Sequence, residues 1–188
     1  MPSRRTLIAA LLALTAWPAN ALDDPAPAGP LARLQGEWRG ELTYDDFSNP
    51  GKLVTLPTRV FAALASPTAV TLLYEFDDGP TKTVYSYEQM RFDFAGLRVV
   101  WVSGAEQPEE SSYRMVSSDV DGARWRIVFE STDGEPDRAV YTLETDGAVL
   151  TFRKEELDAA GAKRLRNEYR LRRVPPSTLV REPAARRG

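Results

Sequence analysis

Leu34-Gln35-Gly36-Glu37-Trp38-Arg39-Gly40-Glu41-Leu42-Thr43-Tyr44 is the stretch from which the fold is read. With a period of two, Trp38, Gly40, Leu42 and Tyr44 fall on one side and Glu37, Arg39, Glu41 and Thr43 on the other. That alternation is the mark of a strand with one dry face and one wet face. Gly36 and Trp38 make a Gly-x-Trp at its start, where a glycine lets the backbone pass close to a large ring. A barrel needs such a plug at the end where the chain comes in. Pro30 to Gln35, just upstream, has a proline at a plausible first helical position, so one short turn is expected across the barrel floor.

Downstream, the same alternation recurs between turn formers. Val54, Leu56, Thr58, Val60, Ala62 and Leu64 share a face, with Pro57 among them predicting an edge or a bend. Val70, Leu72, Tyr74 and Phe76 follow, then Thr83, Tyr85 and Tyr87 on the fourth strand, then Leu97, Val99 and Trp101. Tyr113 and Met115, Trp125 to Phe129, Ala139 to Leu143, Leu150 with Phe152, and Leu165 to Leu171 complete the series. Short strands at regular spacing, with no long helical pattern, predict an all-β antiparallel fold. We expect an up-and-down β-barrel of about eight to ten strands, because successive hairpins with one apolar face close without leaving edges.

The flanks read differently. Residues 1–21 have the form of a signal peptide: Arg4 and Arg5, an apolar run, then Ala19-Asn20-Ala21, with cleavage expected after Ala21. Ser3-Arg4-Arg5-Thr6-Leu7-Ile8 also matches a twin-arginine signal in outline. The expected address is therefore periplasmic or secreted. Residues 22–33 are a proline- and alanine-rich linker, 34–173 the barrel domain, and 174–188 a disordered tail holding three arginines against Glu182. No second apolar run is long enough to be a membrane-spanning helix.

Composition excludes whole classes of chemistry. The chain has no histidine and no cysteine. Disulfides, thiolate and imidazole metal sites, imidazole haem ligation and Ser-His or Cys-His nucleophile pairs are thus impossible. With 24 basic residues against 27 acidic ones, and the basic excess confined to the tail, nucleic acid is not an expected partner. The acidic pairs Asp45-Asp46, Asp77-Asp78, Glu109-Glu110 and Glu155-Glu156 fall in turns or at strand ends and read as solvated acids. No activated residue stands out, so no catalytic residue, cofactor or metal is assigned.

The Leu34-x-Gly36-x-Trp38-x-Gly40 opening on a first strand, followed only by hairpins, resembles the calycin superfamily, the lipocalins and their smaller relatives, above all bacterial secreted lipocalin-like proteins. The resemblance implies that an arginine at the end of the last strand stacks across Trp38. Arg170, Arg172 and Arg173 are the candidates, and Arg172 is the one favoured, closing the barrel together with Gly36 and Trp38. Separately, ten strands leave spare volume inside the barrel unless large side chains occupy it. The expected inward face is rich in phenols, which need hydrogen-bond partners when buried. Tyr44, Tyr74, Tyr85, Tyr87, Trp101, Tyr113 and Tyr141 are therefore the candidate ligand-binding residues. The function expected is a monomeric, non-catalytic carrier of a small apolar or amphipathic molecule. The other reading is a packed barrel serving as a structural or interaction module of the cell envelope.

Overall fold

Trp38 has Val60 beside it on one neighbouring strand and Arg173 on the other. The first strand is thus paired with both the second and the last, and the sheet closes on itself. In the computed structural model, residues 29–132 and 138–176 are described. A 3-10 turn at Pro30–Arg33 leads into ten strands: β1 (Gly36–Asp45), β2 (Leu53–Ser66), β3 (Ala69–Asp77), β4 (Thr83–Asp93), β5 (Arg98–Ser103), β6 (Glu109–Asp121), β7 (Arg124–Ser131), β8 (Ala139–Thr145), β9 (Val149–Leu157) and β10 (Lys163–Arg173). Each pairs antiparallel with its sequence neighbour, and β1 with β10, giving a closed up-and-down barrel. Among the described residues there is no α-helix, hence none long and apolar enough to cross a membrane. The expected signal peptide, most of the linker and nearly all of the tail lie outside the described residues.

The floor is built from the opening motif. Leu31 and Leu34 of the short turn are fully buried against Trp38, whose indole N–H donates to Leu34 O at 2.7 Å. The cation over Trp38 is Arg173, at 4.2 Å from the ring centroid, and not Arg172. Strand parity is the reason. Leu171 is buried in the barrel, so Arg173 shares its inward face while Arg172 points out, level with Arg39. The Arg173 guanidinium also donates to the carbonyls of Arg33, Gln35 and Gly147, tying the floor turn to both ends of the sheet. Gly36 is required here: its φ is +125°, and a Cβ would lie 2.9 Å from the Arg173 guanidinium.

Above the floor, apolar residues fill the barrel. Val60, Met90, Trp125, Ile127 and Phe129 are each 0–1% exposed. The free space left around Leu72, Leu143 and Leu150 is about 10 Å³, at the lower limit for a single water. The lower half is therefore a packed core.

Candidate functional site

The opposite end is open, and Pro57 helps to open it. β2 pairs with β1 all the way from Ala62 to Leu53, but its pairing with β3 stops at Thr58 and Phe76. Proline has no N–H to donate, so the ladder ends where Pro57 begins. The expectation that Pro57 marks a local edge therefore holds within a closed sheet. Beside this splay lies a cleft of about 330 Å³, inside the usual range for small-molecule sites. Leu42 and Tyr44 of β1, Leu56 of β2, Phe76 of β3 and Val84 of β4 form its apolar wall.

The polar rim comes from β10 and the β1–β2 loop. A bulge between Leu165 and Asn167 shifts the register of β10 and turns Arg166 over the cleft. Its guanidinium lies 3.7 Å from the Phe47 ring centroid, donates to Asp45 O at 2.6 Å and is 3.4 Å from a Glu156 carboxylate oxygen. Phe47 is 80% exposed and stands at the lip. Asp45, expected as a solvated turn acid, is instead buried. It accepts from Gly51 N at 2.5 Å and from Arg164 at 2.8 Å, which anchors the loop that carries Phe47.

The candidate aromatic residues divide into three groups. Tyr44 lines the cleft. Trp101, Tyr113 and Tyr141 meet in the upper lumen, with centroid separations of 5.9, 5.3 and 5.1 Å. Tyr74 is buried next to them in a second cluster with Phe76 and Tyr169. Tyr85 and Tyr87 are the exceptions, and the inward placement expected of them is corrected here. Tyr85 is 65% exposed, and both stand on the outer face, opposite Glu75 and Leu73. The face of β4 is set where it packs most deeply, at Met90 and Phe92, and that parity brings Val84, Ser86 and Glu88 inward.

Glu88 is the residue that the sequence reading missed. Its Oε2 has no accessible surface and no hydrogen-bond partner among the described residues, and the same is true of Trp101 Nε1. Burial pushes the Glu88 carboxyl up from 4.5 to about 7, although Tyr74 and Trp101 lie near enough to pull it partly back. The phenols feel the same environment. Burial, then the Glu88 carboxyl, raise Tyr74 and Tyr169 well above the ordinary range; in Tyr141 the neighbouring Tyr113 adds more than Glu88 does. Lys154 stands higher on the wall, its Nζ 5.8 Å from the Tyr141 ring centroid and 3.9 Å from Glu156. The parity of Met90 and Phe92 is the sequence signal that locates Glu88. Nothing in the sequence foretells the bulge that aims Arg166.

Exposure also changes with height. Trp101, Tyr113, Tyr169 and Glu88 keep part of their surface in contact with solvent, whereas Leu31, Leu34 and Trp38 of the floor keep almost none. Among the described residues no three carboxylates cluster closely enough to hold a metal ion.

No protein-family model matches the chain. No curated protein matches its sequence either. Among solved structures, the crystal structure of Rv2717c from M. tuberculosis is similar, with a TM-score of 0.55 and 14% identity over 77% of this chain and 94% of that one. Identity that low speaks only to the fold. The chain is a lipocalin-like ten-stranded barrel resembling Rv2717c.

Proposed function

We propose that the chain is an exported, non-catalytic binding protein that takes a small apolar or amphipathic molecule through the open end of the barrel. The observation that carries this reading is the contrast between the two ends. A cleft of about 330 Å³ walled by Leu42, Leu56, Phe76 and Val84 stands above a floor with about 10 Å³ to spare. Transfer of an apolar chain into such a wall is favourable by roughly 25 cal/mol per Å² removed from water. The polar rim of Arg166 and Asn167 suits a guest with one polar end.

Titration with N-phenyl-1-naphthylamine tests the reading, together with native mass spectrometry of protein isolated from its own host. Saturable dye uptake by the folded chain at one site, and a co-purifying small molecule, are expected. A folded sample that takes up no dye overturns it.

A specific observation favours the second reading. Leu73 and Tyr85 are 42% and 65% exposed on the outer face of β3 and β4. A module that binds an envelope partner would use such a face. Substituting Tyr85 by serine then weakens partner capture and leaves dye uptake unchanged.

A further inference from the structure

We propose that Glu88 and Trp101 form a polar subsite in the upper lumen that takes the hydroxyl group of an aliphatic alcohol, whose tail occupies the mouth cleft. The proposal rests on the carrier reading above and adds the chemistry of the guest's polar end.

Two buried polar atoms without partners are costly in one small region, because each forgoes the hydrogen bonds it had in water. Here one is an acceptor, Glu88 Oε2, and the other a donor, Trp101 Nε1. They stand on neighbouring strands, since Met90, two positions along from Glu88, lies opposite Trp101. A hydroxyl both donates and accepts, so a single alcohol oxygen completes both atoms. An ammonium has nothing to offer the indole N–H. Above about pH 7, where Glu88 is ionised, a carboxylate can accept from the indole but meets Glu88 with no proton between them, so the displacement is run at about pH 8.

The dimensions agree. Val84, on the wall of the cleft, and Glu88 share the inward face of β4 with Ser86 between them. At about 3.3 Å per residue they are roughly 13 Å apart, the length of a medium-chain alcohol. Both residues are half-buried as a whole while their two polar atoms are covered, so a guest must part the rings of the upper lumen to reach them. The other polar groups facing Glu88 are Ser103, directly opposite it on β5, and the phenols of Tyr74, Tyr141 and Tyr169, each of which responds to its charge. Lys154 and Arg166, the cations at the open end of the barrel, are already engaged by Glu156. They define the rival location for a polar end, at the rim.

Displacement of N-phenyl-1-naphthylamine by four probes of similar length tests the assignment: 1-decanol, its isomer 1-methoxynonane, decylamine and decanoate. The ether accepts as the alcohol does but cannot donate. Decanol is expected to bind about 10-fold more tightly than the ether, the size of one good hydrogen bond. That advantage should vanish in Glu88→Leu, while Glu88→Gln, which keeps an acceptor, retains most of it; Trp101→Phe should weaken alcohol and ether alike, since both accept from the indole. Near-ultraviolet circular dichroism establishes that each variant is folded. If decanoate binds best, the polar end is held at Lys154 and Arg166 and the subsite is refuted, with the carrier left standing. Equal affinities for alcohol and ether refute it as well. If the dye binds and none of the four displaces it, the guest is not an aliphatic chain and the assignment fails. If the dye itself does not bind, it is the carrier reading that has failed.

Discussion

Glu88 makes stability depend on pH with a sign opposite to that of an ordinary carboxylate. In the unfolded chain the group titrates at its usual 4.5, and in the folded chain at about 7. Between those values the folded chain holds a proton that the unfolded chain has released, so stability falls as pH rises. Below 4.5 both states are protonated and there is no cost; above about 7 the cost is complete. At about 1.4 kcal/mol for each pH unit, a rise from 4.5 to about 7 amounts to roughly 3 kcal/mol. Other acids work the other way: hydrogen bonds from Arg59 to Glu37, from Asn49 to Asp46 and from backbone amides to Asp146 hold these carboxyls below their usual values. The wild-type curve therefore sums opposing contributions, and Glu88→Gln isolates one of them. Urea unfolding followed by tryptophan fluorescence, at about pH 4 and about pH 8, gives the difference between the two proteins at each end. The variant should gain about 3 kcal/mol on the wild type between the acid and the alkaline condition, whatever constant offset the amide introduces. A difference that does not change with pH would refute the burial of the Glu88 carboxyl inside the barrel.

Three more substitutions test the fold and the cleft. Arg173→Met removes the cation over Trp38 and three backbone contacts at the floor, and should cost about 2–4 kcal/mol by thermal or urea unfolding; Arg172→Met, on the outer face, should stay within about 0.5 kcal/mol. Gly40→Ala sets a Cβ 2.0 Å from Arg170 O on the facing strand, so the seam must part and a loss of about 3 kcal/mol, or failure to fold, is expected. Leu56→Trp fills the cleft and should weaken dye affinity at least about 10-fold while leaving the melting temperature within a few degrees of wild type, as a change at a partly exposed wall.

Much of this architecture was legible because a half-buried strand writes its two faces into alternate residues. On β1, β3, β7 and β8 the apolar positions agree with the face that the barrel buries. β4 was misread because rings at 85 and 87 outweighed a glutamate at 88 on hydropathy alone. Depth of packing at Met90 and Phe92 decides the face, and it carries the glutamate inward. Arg173 was a near miss of the same kind, settled by counting from Leu171. The mouth was less legible because a bulge in β10 and the anchoring of Asp45 by Arg164 depend on strands far apart in sequence. Local pattern holds no trace of either.

The pairing of β1 with β10 bears on how the molecule is made. The seam joins residues near 38 to residues near 173, so a ribosome has released almost the whole domain before the ring can shut. Until then two raw margins stand open, each able to template another chain. Such distant pairing also slows folding. Arg39 and Glu41 on one margin, and Arg170 and Arg172 on the other, place charge along both outer edges. They deter a neighbouring nascent chain from taking the place that the final strand must fill.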